Sequence, residues 1–262
     1  MATLEKQSNL SDSHWYTRDG QPAYTIKKKD GGDRPATLRD ARKHNLLPSV
    51  TTIFNIMAKP QLEKWKLNKA IQAALTTTRD DDEPDDRYHQ RILERSRKEV
   101  SEAAELGTRI HDAIEAAFGG HEPPEDLKPY VLPTMEYLRK INLTNIELEQ
   151  VVVNIREGYA GRVDLLAGFG DKRVIVDFKT RKTRKGEKVT PYEFQPMQIA
   201  AYAHAAFGSL KDVWGANIYI STTEPERIET VAYNAEKLRE EYEAFINMCA
   251  LWRYSKNYDP RS

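Results

Sequence analysis

The spacing of hydrophobic residues changes about halfway along the chain, from a helical period to a strand-like alternation. In the first half, apolar residues recur every three or four positions. This spacing predicts helices that start after a capping Ser49 and at Pro60, a long helix over about 88–118 that ends before Gly119, and a helix after Pro129. The segment TTTRDDDEPDD breaks the pattern and predicts a mobile, solvated loop.

The second half of the chain has the alternation and the β-branched residues that are typical of strands. Three strand-like segments, IELEQVVVNI, GRVDLLAGF and RVIVDFKT, follow one another. A helical segment, PYEFQPMQIAAYAHAAF, comes next, and then two further strands, VWGANIYIST and RIETVAYN, and a C-terminal helix. Helices followed by this succession predict an α/β fold, with a mixed central sheet flanked by helices.

We expect one compact domain made of three regions. Residues 1–47 are polar and predict an arm or a small hairpin, with YTIKK as their strand-like piece. Residues 48–145 form a helical elaboration at the N-terminal side of the core. Residues 146–262 form the α/β core itself.

The composition narrows the class of protein. Of the 262 residues, 31% are charged and 39% are apolar, and no apolar run approaches the roughly 18 residues of a membrane span. The first residues, MATLEKQSNLSDSHW, lack the features of a signal or transit peptide. Cys249 is the single cysteine, which excludes an internal disulfide and a thiolate metal cluster. We therefore expect a reducing, cytoplasmic location, in a bacterium or a phage-infected cell.

Opposite charges are equal in number but segregated along the chain. There are 40 basic and 40 acidic residues, so the net charge is zero. Acids concentrate at 80–86, whereas bases concentrate in TRKTRKGEK, residues 180–188, which we call the basic loop. A concentrated basic segment favours binding of a phosphate backbone, and a solvated turn is the alternative. Aromatic residues available to stack on unpaired bases, or to fill the core, are Trp15, Tyr16, Tyr24 and Trp65.

Two acids and a lysine interrupt the apolar strands of the predicted core. Side chains alternate between the faces of a strand, so Asp177 and Lys179 leave the same face of RVIVDFKT. A short hairpin at 168–171 would place Asp164, in the preceding strand, beside Asp177. Two neighbouring carboxylates make a site for a hard divalent cation. An edge-strand salt bridge and a turn-facing aspartate are the alternatives.

Polar residues on two predicted helices are further candidates. His111 lies beside the apolar stripe of the long helix, one turn after Gly107, where a core histidine is the common alternative. Gln195, Gln198 and Tyr202 share one face of the helix after the third strand, and their polar tips suit contacts with phosphates or bases. A solvated polar stripe is the alternative for this face.

The order of these motifs resembles a known family of nucleases. Gly-x-x-x-His on a helix precedes Gly-x-x-Asp on a strand, then Asp-x-Lys on the next strand and Gln-x-x-x-Tyr on the following helix. This succession is similar to the RecB-type branch of the PD-(D/E)XK nucleases. The sequence segments PSVTTI, GTRIH, GYAGRVDLL, VDFKT and QIAAY are similar to segments of mitochondrial genome-maintenance exonucleases and their phage relatives. The resemblance covers about 48–202.

The resemblance implies roles for individual residues. It implies that His111, Asp164, Asp177 and the backbone carbonyl of Phe178 bind Mg²⁺ or Mn²⁺, and that Lys179 orients or activates the attacking water. Substrate contacts would come from two groups of residues. The predicted helix provides Gln195, Gln198 and Tyr202, and the basic loop provides Arg181, Lys182, Arg184 and Lys185. An additional acid is frequent in the family, and Glu149 and Glu115 are the candidates. The iron–sulfur cluster of some relatives is excluded by the single cysteine.

The implied activity is metal-dependent hydrolysis of DNA by an exonuclease that prefers single strands or free ends. Phage recombination, DNA repair and genome maintenance would all use such a site. A structure-specific or restriction-like endonuclease on the same core is a second hypothesis. A catalytically silent module that binds nucleic acid through the basic loop is a third, from another functional class.

Overall fold

The computed structural model describes residues 13–192 and 194–261. These residues fall into two compact units, with bounds of 1–56 and 132–262 for the first and 57–131 for the second. The expected boundaries near 47 and 145 remain predictions. No helix in the described part of the chain has the length and apolar character that a membrane crossing requires.

The N-terminal part of the first unit contains short strands and two short helices. Their bounds are β1 (Trp15–Tyr16), β2 (Thr25–Lys27), β3 (Asp33–Pro35), α1 (Leu38–His44), β4 (Leu47–Pro48) and α2 (Val50–Phe54). Strand β2 forms an antiparallel hairpin with β3, and β1 pairs with β4. Ser49 caps α2 as predicted, because its hydroxyl accepts a hydrogen bond of 3.0 Å from the Thr52 N–H.

The sequence pattern did not predict helix α1, which is only seven residues long. Asp40 holds its N-terminus, because its carboxylate accepts hydrogen bonds from the Thr37 N–H at 2.9 Å and from Arg34 at 2.6 and 2.7 Å. A helix this short makes barely two turns, so its apolar periodicity is too brief to detect. The Thr-x-x-Asp spacing was the available signal.

The second unit contains two paired helices and a short 3₁₀ helix. Helix α3 spans Pro60–Thr76, helix α4 spans Asp85–Phe118, and the 3₁₀ helix spans Glu125–Leu127. Both long helices agree with the predicted starts. The acidic segment before α4 is anchored and only partly solvated, because the Glu83 carboxylate is 3% exposed and pairs with Arg91 at 2.8 Å. Helix α5 (Lys128–Ile141) follows in the chain.

A five-stranded sheet with the order β5-β6-β7-β8-β9 forms the centre of the first unit. The elements are β5 (Thr144–Asn154), β6 (Tyr159–Phe169), β7 (Lys172–Arg181), α6 (Gln195–Phe207), β8 (Val213–Ser221), β9 (Ile228–Tyr233) and α7 (Ala235–Lys256). Neighbouring strands are antiparallel except β7 and β8, which are parallel. The predicted α/β fold and the order of its strands and helices are confirmed.

Helix α6 connects the two parallel strands and covers one face of the sheet. A Cβ at Gly215 in β8 would lie 2.2 Å from Ile199 of α6 and 3.1 Å from Leu238 of α7. This face of β8 is therefore the one that the helices cover, and the missing side chain lets α6 approach closely. Register partners share a face, so Asp177 and Lys179, opposite Asn217 and Tyr219, point to the same side.

Candidate active site

The first pair of candidate residues lies on the central strand β7. The Lys179 Nζ atom is 2.6 Å from Oδ2 of Asp177. The Asp177 residue is 2% exposed, whereas the Lys179 side chain is 26% exposed and so lies nearer to solvent. The strand alternation predicted this shared face, because one intervening residue, Phe178, points to the opposite side. The pair therefore has a buried anionic end and a more accessible cationic end.

Asp164 lies at the point where the pairing between β6 and β7 ends. The antiparallel register runs from Phe169 opposite Lys172 to Leu165 opposite Val176. One step further along, Oδ2 of Asp164 accepts a hydrogen bond of 2.7 Å from the Phe178 N–H. The Asp164 carboxylate thus binds the backbone N–H of Phe178 just beyond the last residue pair between β6 and β7. The predicted hairpin is present and turns at Gly170, whose φ is +58°.

The three ionisable groups influence one another's protonation. Burial, and then the negative charge of Asp177, raise the pKa of Asp164 well above the usual range of an aspartate. Burial lowers the pKa of Lys179, but the charges of Asp177 and Asp164 outweigh this effect, so the pKa of Lys179 is raised. Lys179 is therefore a cation that pairs with Asp177, whereas Asp177 and an ionised Asp164 repel each other. A divalent cation would relieve this repulsion, so the donor set fits a hard metal ion.

Two buried residues support Asp177 from the neighbouring strands. The Asn217 side chain donates a hydrogen bond of 3.0 Å from Nδ2 to Oδ2 of Asp177, and the Tyr233 hydroxyl donates one of 2.8 Å to Oδ1 of Asn217. An ionised carboxylate only accepts hydrogen bonds, so the Asn217 amide must present its NH₂ group to Asp177. Tyr233 fixes the same orientation from the other side. The position of Asp177 is therefore determined by three strands.

Glu149 interrupts strand β5 at the level of Asp164. The pairing of β5 with β6 places Leu148 opposite Leu165 and Gln150 opposite Val163. Glu149, between these pairs, has a φ of +54°, a conformation that a non-glycine residue rarely adopts in a strand. Its carboxylate forms an ion pair with Arg162. Glu149 also contributes to the raised pKa of Asp164, so its charge lies within the influence of the site.

The helical polar residues form two separate hydrogen bonds on α6. Gln198 donates a hydrogen bond of 3.0 Å to the Tyr202 hydroxyl. The Tyr202 ring packs on the backbone of Gly161 in β6, where a Cβ would lie only 2.2 Å from Cε1 of the ring. Gln195, at the start of the helix, accepts a hydrogen bond of 2.6 Å from Tyr219, the register partner of Lys179. The face that the helical spacing predicted is thus directed at the sheet.

Comparison with known proteins identifies the family. A model of the PD-(D/E)XK nuclease superfamily matches residues 127–262, just over half of the chain. The chain belongs to the PD-(D/E)XK nuclease superfamily. SSO0001, which has a solved crystal structure, is similar over 71% of this chain and 86% of its own, at 19% identity and a TM-score of 0.31. No curated protein matches the chain.

The fold of the chain agrees with its membership of the PD-(D/E)XK superfamily. The five-stranded mixed sheet with its helices is consistent with the restriction-endonuclease-like fold of the superfamily. Membership of the superfamily supports a nuclease function with nucleic acid as the substrate. Members of the superfamily generally use divalent metal ions such as Mg²⁺. The RecB-type branch and the finer specificity remain predictions.

The candidates His111 and Glu115 lie on α4, in the second unit. His111 is partly buried and Glu115 is exposed. Within the described ranges, no group of three or more His, Cys, Asp and Glu side chains is arranged to hold a metal ion. Asp164 and Asp177 lie near each other in the first unit. Metal binding by these two residues, and the participation of His111 and Glu115, remain predictions.

The basic candidates differ in how firmly they are held. The Arg181 guanidinium lies 4.8 Å from the ring centre of Tyr192 and 5.7 Å from that of Tyr219, and donates a hydrogen bond of 2.8 Å to the Thr190 carbonyl. Lys182, Arg184 and Lys185 are exposed. Lys188, at the end of the basic loop, is exposed as well, so the loop has one fixed cation close to Lys179 and four that reach solvent.

The sequence pattern did not predict the residues that support Asp177 in this candidate site. Asn217 interrupts the apolar run VWGANIYIS, and a polar residue in a buried strand was the available signal. The aromatic residues considered for base stacking include Trp15 and Tyr16, which are 2% and 3% exposed. These two rings fill the core and cannot stack on a ligand.

Proposed function

We propose that the protein is a metal-dependent DNA exonuclease of the RecB-type branch, which prefers single strands or free ends. The observation that carries the proposal is the arrangement of Asp164, Asp177 and Lys179, in which Lys179 pairs with Asp177 and Asp164 lies close enough to be affected by the charges of both. The order of the four sequence motifs supports the branch. A cytoplasmic role in phage recombination, repair or genome maintenance fits the same activity.

Asp164 and Asp177 would hold Mg²⁺ or Mn²⁺, with the Phe178 carbonyl and His111 as further ligands and Glu149 or Glu115 as an additional acid. When bound, such an ion polarises the phosphate, lowers the pKa of water and stabilises the leaving oxygen. Asn217 and Lys179 both contact Oδ2 of Asp177. They therefore hold this carboxylate in one orientation before any ligand arrives, which reduces the cost of ordering it.

Lys179 supplies a positive charge beside the carboxylates. Its raised pKa keeps it protonated at neutral pH, so it acts as a cation and not as a general base in the metal-free protein. A cation at this position stabilises the negative charge that develops on the phosphate oxygens in the transition state. Its partly exposed side chain can orient a water molecule for attack on the phosphorus atom.

The substrate backbone would lie along α6 and the basic loop. Gln198 and Tyr202 are linked to each other, and Gln195 is linked to the strand beside Lys179, so their polar atoms are held in place. Arg181, Lys182, Arg184 and Lys185 continue from the end of β7 and offer positive charge for successive phosphates. A row of positive charges that leads away from β7 suits a substrate with regularly spaced phosphates, which supports a polynucleotide.

The test uses end-labelled linear single-stranded DNA, linear duplex DNA and closed circular DNA, each with Mg²⁺, Mn²⁺ or EDTA. The wild-type protein is compared with Lys179→Ala. Metal-dependent loss of linear single strands, with circles spared and no loss with the variant, supports the exonuclease. Cleavage of circles indicates an endonuclease instead. Binding of DNA without cleavage under any metal would indicate a catalytically silent module.

A further inference from the structure

An arginine from the segment that connects β8 to β9 binds the main chain of the basic loop. The Arg227 guanidinium donates hydrogen bonds to the carbonyls of Arg184, at 2.9 Å, and of Glu187. Arg227 is 43 and 40 residues away from these positions in sequence. Its side chain is 20% exposed, so it is mostly enclosed by the groups that it binds.

Two acids complete the connection between the loop and the strands. Arg227 forms ion pairs with Glu224 and Glu229. Glu229 also accepts a hydrogen bond of 3.1 Å from the Val189 N–H, and Glu224 accepts one from the Thr183 hydroxyl. Arg227 thus contacts the loop directly at Arg184 and Glu187, and its acidic partners contact Thr183 and Val189.

A separate pair of hydrogen bonds anchors the start of the loop. The Thr183 N–H donates a hydrogen bond of 2.9 Å to the Thr223 hydroxyl, which donates one of 2.8 Å to the Thr183 carbonyl. The next residue, Arg184, extends its side chain into solvent, where it is 83% exposed. The loop therefore combines a fixed backbone with outward-facing cations.

The charge of this anchor shows that its role is not to attract phosphate. Arg227 contributes one positive charge, whereas Glu224 and Glu229 contribute two negative charges. The group is therefore net negative, and it cannot be an electrostatic binding site for a polyanion. Its value for substrate binding would come from shape, because a preformed loop loses less conformational entropy when a strand binds.

We propose that Arg227 is a positioning residue for substrate binding, which holds the basic loop in the conformation that presents Lys182, Arg184 and Lys185 to successive phosphates of the nucleic acid. This inference rests on the proposed function, because it takes a polynucleotide as the substrate. It adds a residue that touches neither metal nor substrate, and that acts through the main chain of the loop.

The test variant is Arg227→Lys, which keeps the charge but loses the planar fork that binds two carbonyls at once. The matched control is Arg173→Lys. Arg173 also donates from both terminal nitrogens to main-chain carbonyls, among them Phe207 at 3.3 Å and Lys211 at 3.0 Å, but it lies at the start of β7. Both changes remove a fork, whereas only one of them releases the basic loop.

The measurement is the affinity for single-stranded DNA in EDTA, by fluorescence anisotropy, over a range of salt concentrations. Each lost phosphate contact reduces the slope of log K against log salt by about 0.7 for single strands. We expect Arg227→Lys to bind about tenfold more weakly at fixed salt, with a slope smaller by about 1–2. Arg173→Lys should keep the wild-type slope, even if it melts at a lower temperature.

Hydrogen exchange of residues 183–189 provides the second readout. Faster exchange in Arg227→Lys together with the smaller salt slope supports the proposal. Faster exchange with an unchanged affinity and slope overturns it, as does unchanged exchange. If the wild-type protein itself fails to bind DNA, the proposed function fails, and this role for Arg227 fails with it.

Discussion

A test of the candidate site that needs no assumption about the metal is the addition of one methyl group at Gly161. A Cβ on this residue would lie 2.2 Å from Cε1 of Tyr202, with the neighbouring ring atoms at 3.0 and 3.1 Å. Carbon atoms normally approach to about 3.5–4.0 Å. The ring must therefore move by roughly 1.3 Å or more in Gly161→Ala.

The expected cost has a structural and a functional part. Overpacking of this kind costs about 1–3 kcal/mol of unfolding free energy, and each kcal/mol lowers the melting temperature by about 2–4 °C in a protein of this size. Displacement of a substrate-positioning group by about 1 Å can cost about 100-fold in rate. We therefore expect a large loss of kcat/KM for single-stranded DNA, at a temperature where the variant is fully folded.

Gly168, near the other end of the same strand, provides a control for this variant. A Cβ at Gly168 would lie 2.7 Å from Oγ1 of Thr144 in β5, so Gly168→Ala also overpacks the sheet, but it does so away from α6. We expect a lower melting temperature with less than about a threefold change in kcat/KM, since no substrate-positioning group moves. Equal activities of the two variants, after both are shown to be folded, would refute the role assigned to Tyr202.

Two further predictions concern the acids of the site. In metal-free protein, the raised pKa of Asp164 means that the folded state holds its proton at pH values where the unfolded chain has lost it. Asp164 therefore lowers the free energy of unfolding progressively as the pH rises above about 3.9. In EDTA, Asp164→Asn should melt at a higher temperature than wild type at pH 8, and the difference should be smaller at pH 4. Asn217→Leu should weaken Mn²⁺ binding about tenfold by calorimetry, because it removes the hydrogen bond that orients the Asp177 carboxylate; Tyr137→Phe, which removes a hydrogen bond to Thr230 elsewhere on the sheet, should bind Mn²⁺ like wild type.

The sequence predicted the features that depend on neighbours along the chain. Alternation placed Asp177 and Lys179 on one face, and the hairpin at Gly170 placed Asp164 at the level of Asp177. Both are local properties, because a strand fixes the direction of its side chains and a two-residue turn fixes the register of its strands.

The supporting residues could not be predicted because they come from distant parts of the chain. Asn217 reaches Asp177 only through the parallel register of β7 and β8, which is set after the α6 crossover and leaves no local signal. The same holds for Arg227, which binds the main chain of the basic loop from about 40 residues away. Arg227 binds main-chain carbonyls, which every residue has. No particular residue type in the basic loop therefore indicates this contact.

Single-turnover cleavage of end-labelled single-stranded DNA by wild type and Lys179→Met, with Mg²⁺ and with EDTA, measures how far metal-dependent hydrolysis depends on this lysine. Methionine keeps most of the apolar stem of the lysine and removes its charge. We predict Mg²⁺-dependent cleavage by wild type and a rate at least about 100-fold lower for the variant, since removal of one preorganised charge-stabilising group costs about this much. Cleavage by Lys179→Met at the wild-type rate, or wild-type cleavage that persists in EDTA, would contradict this prediction.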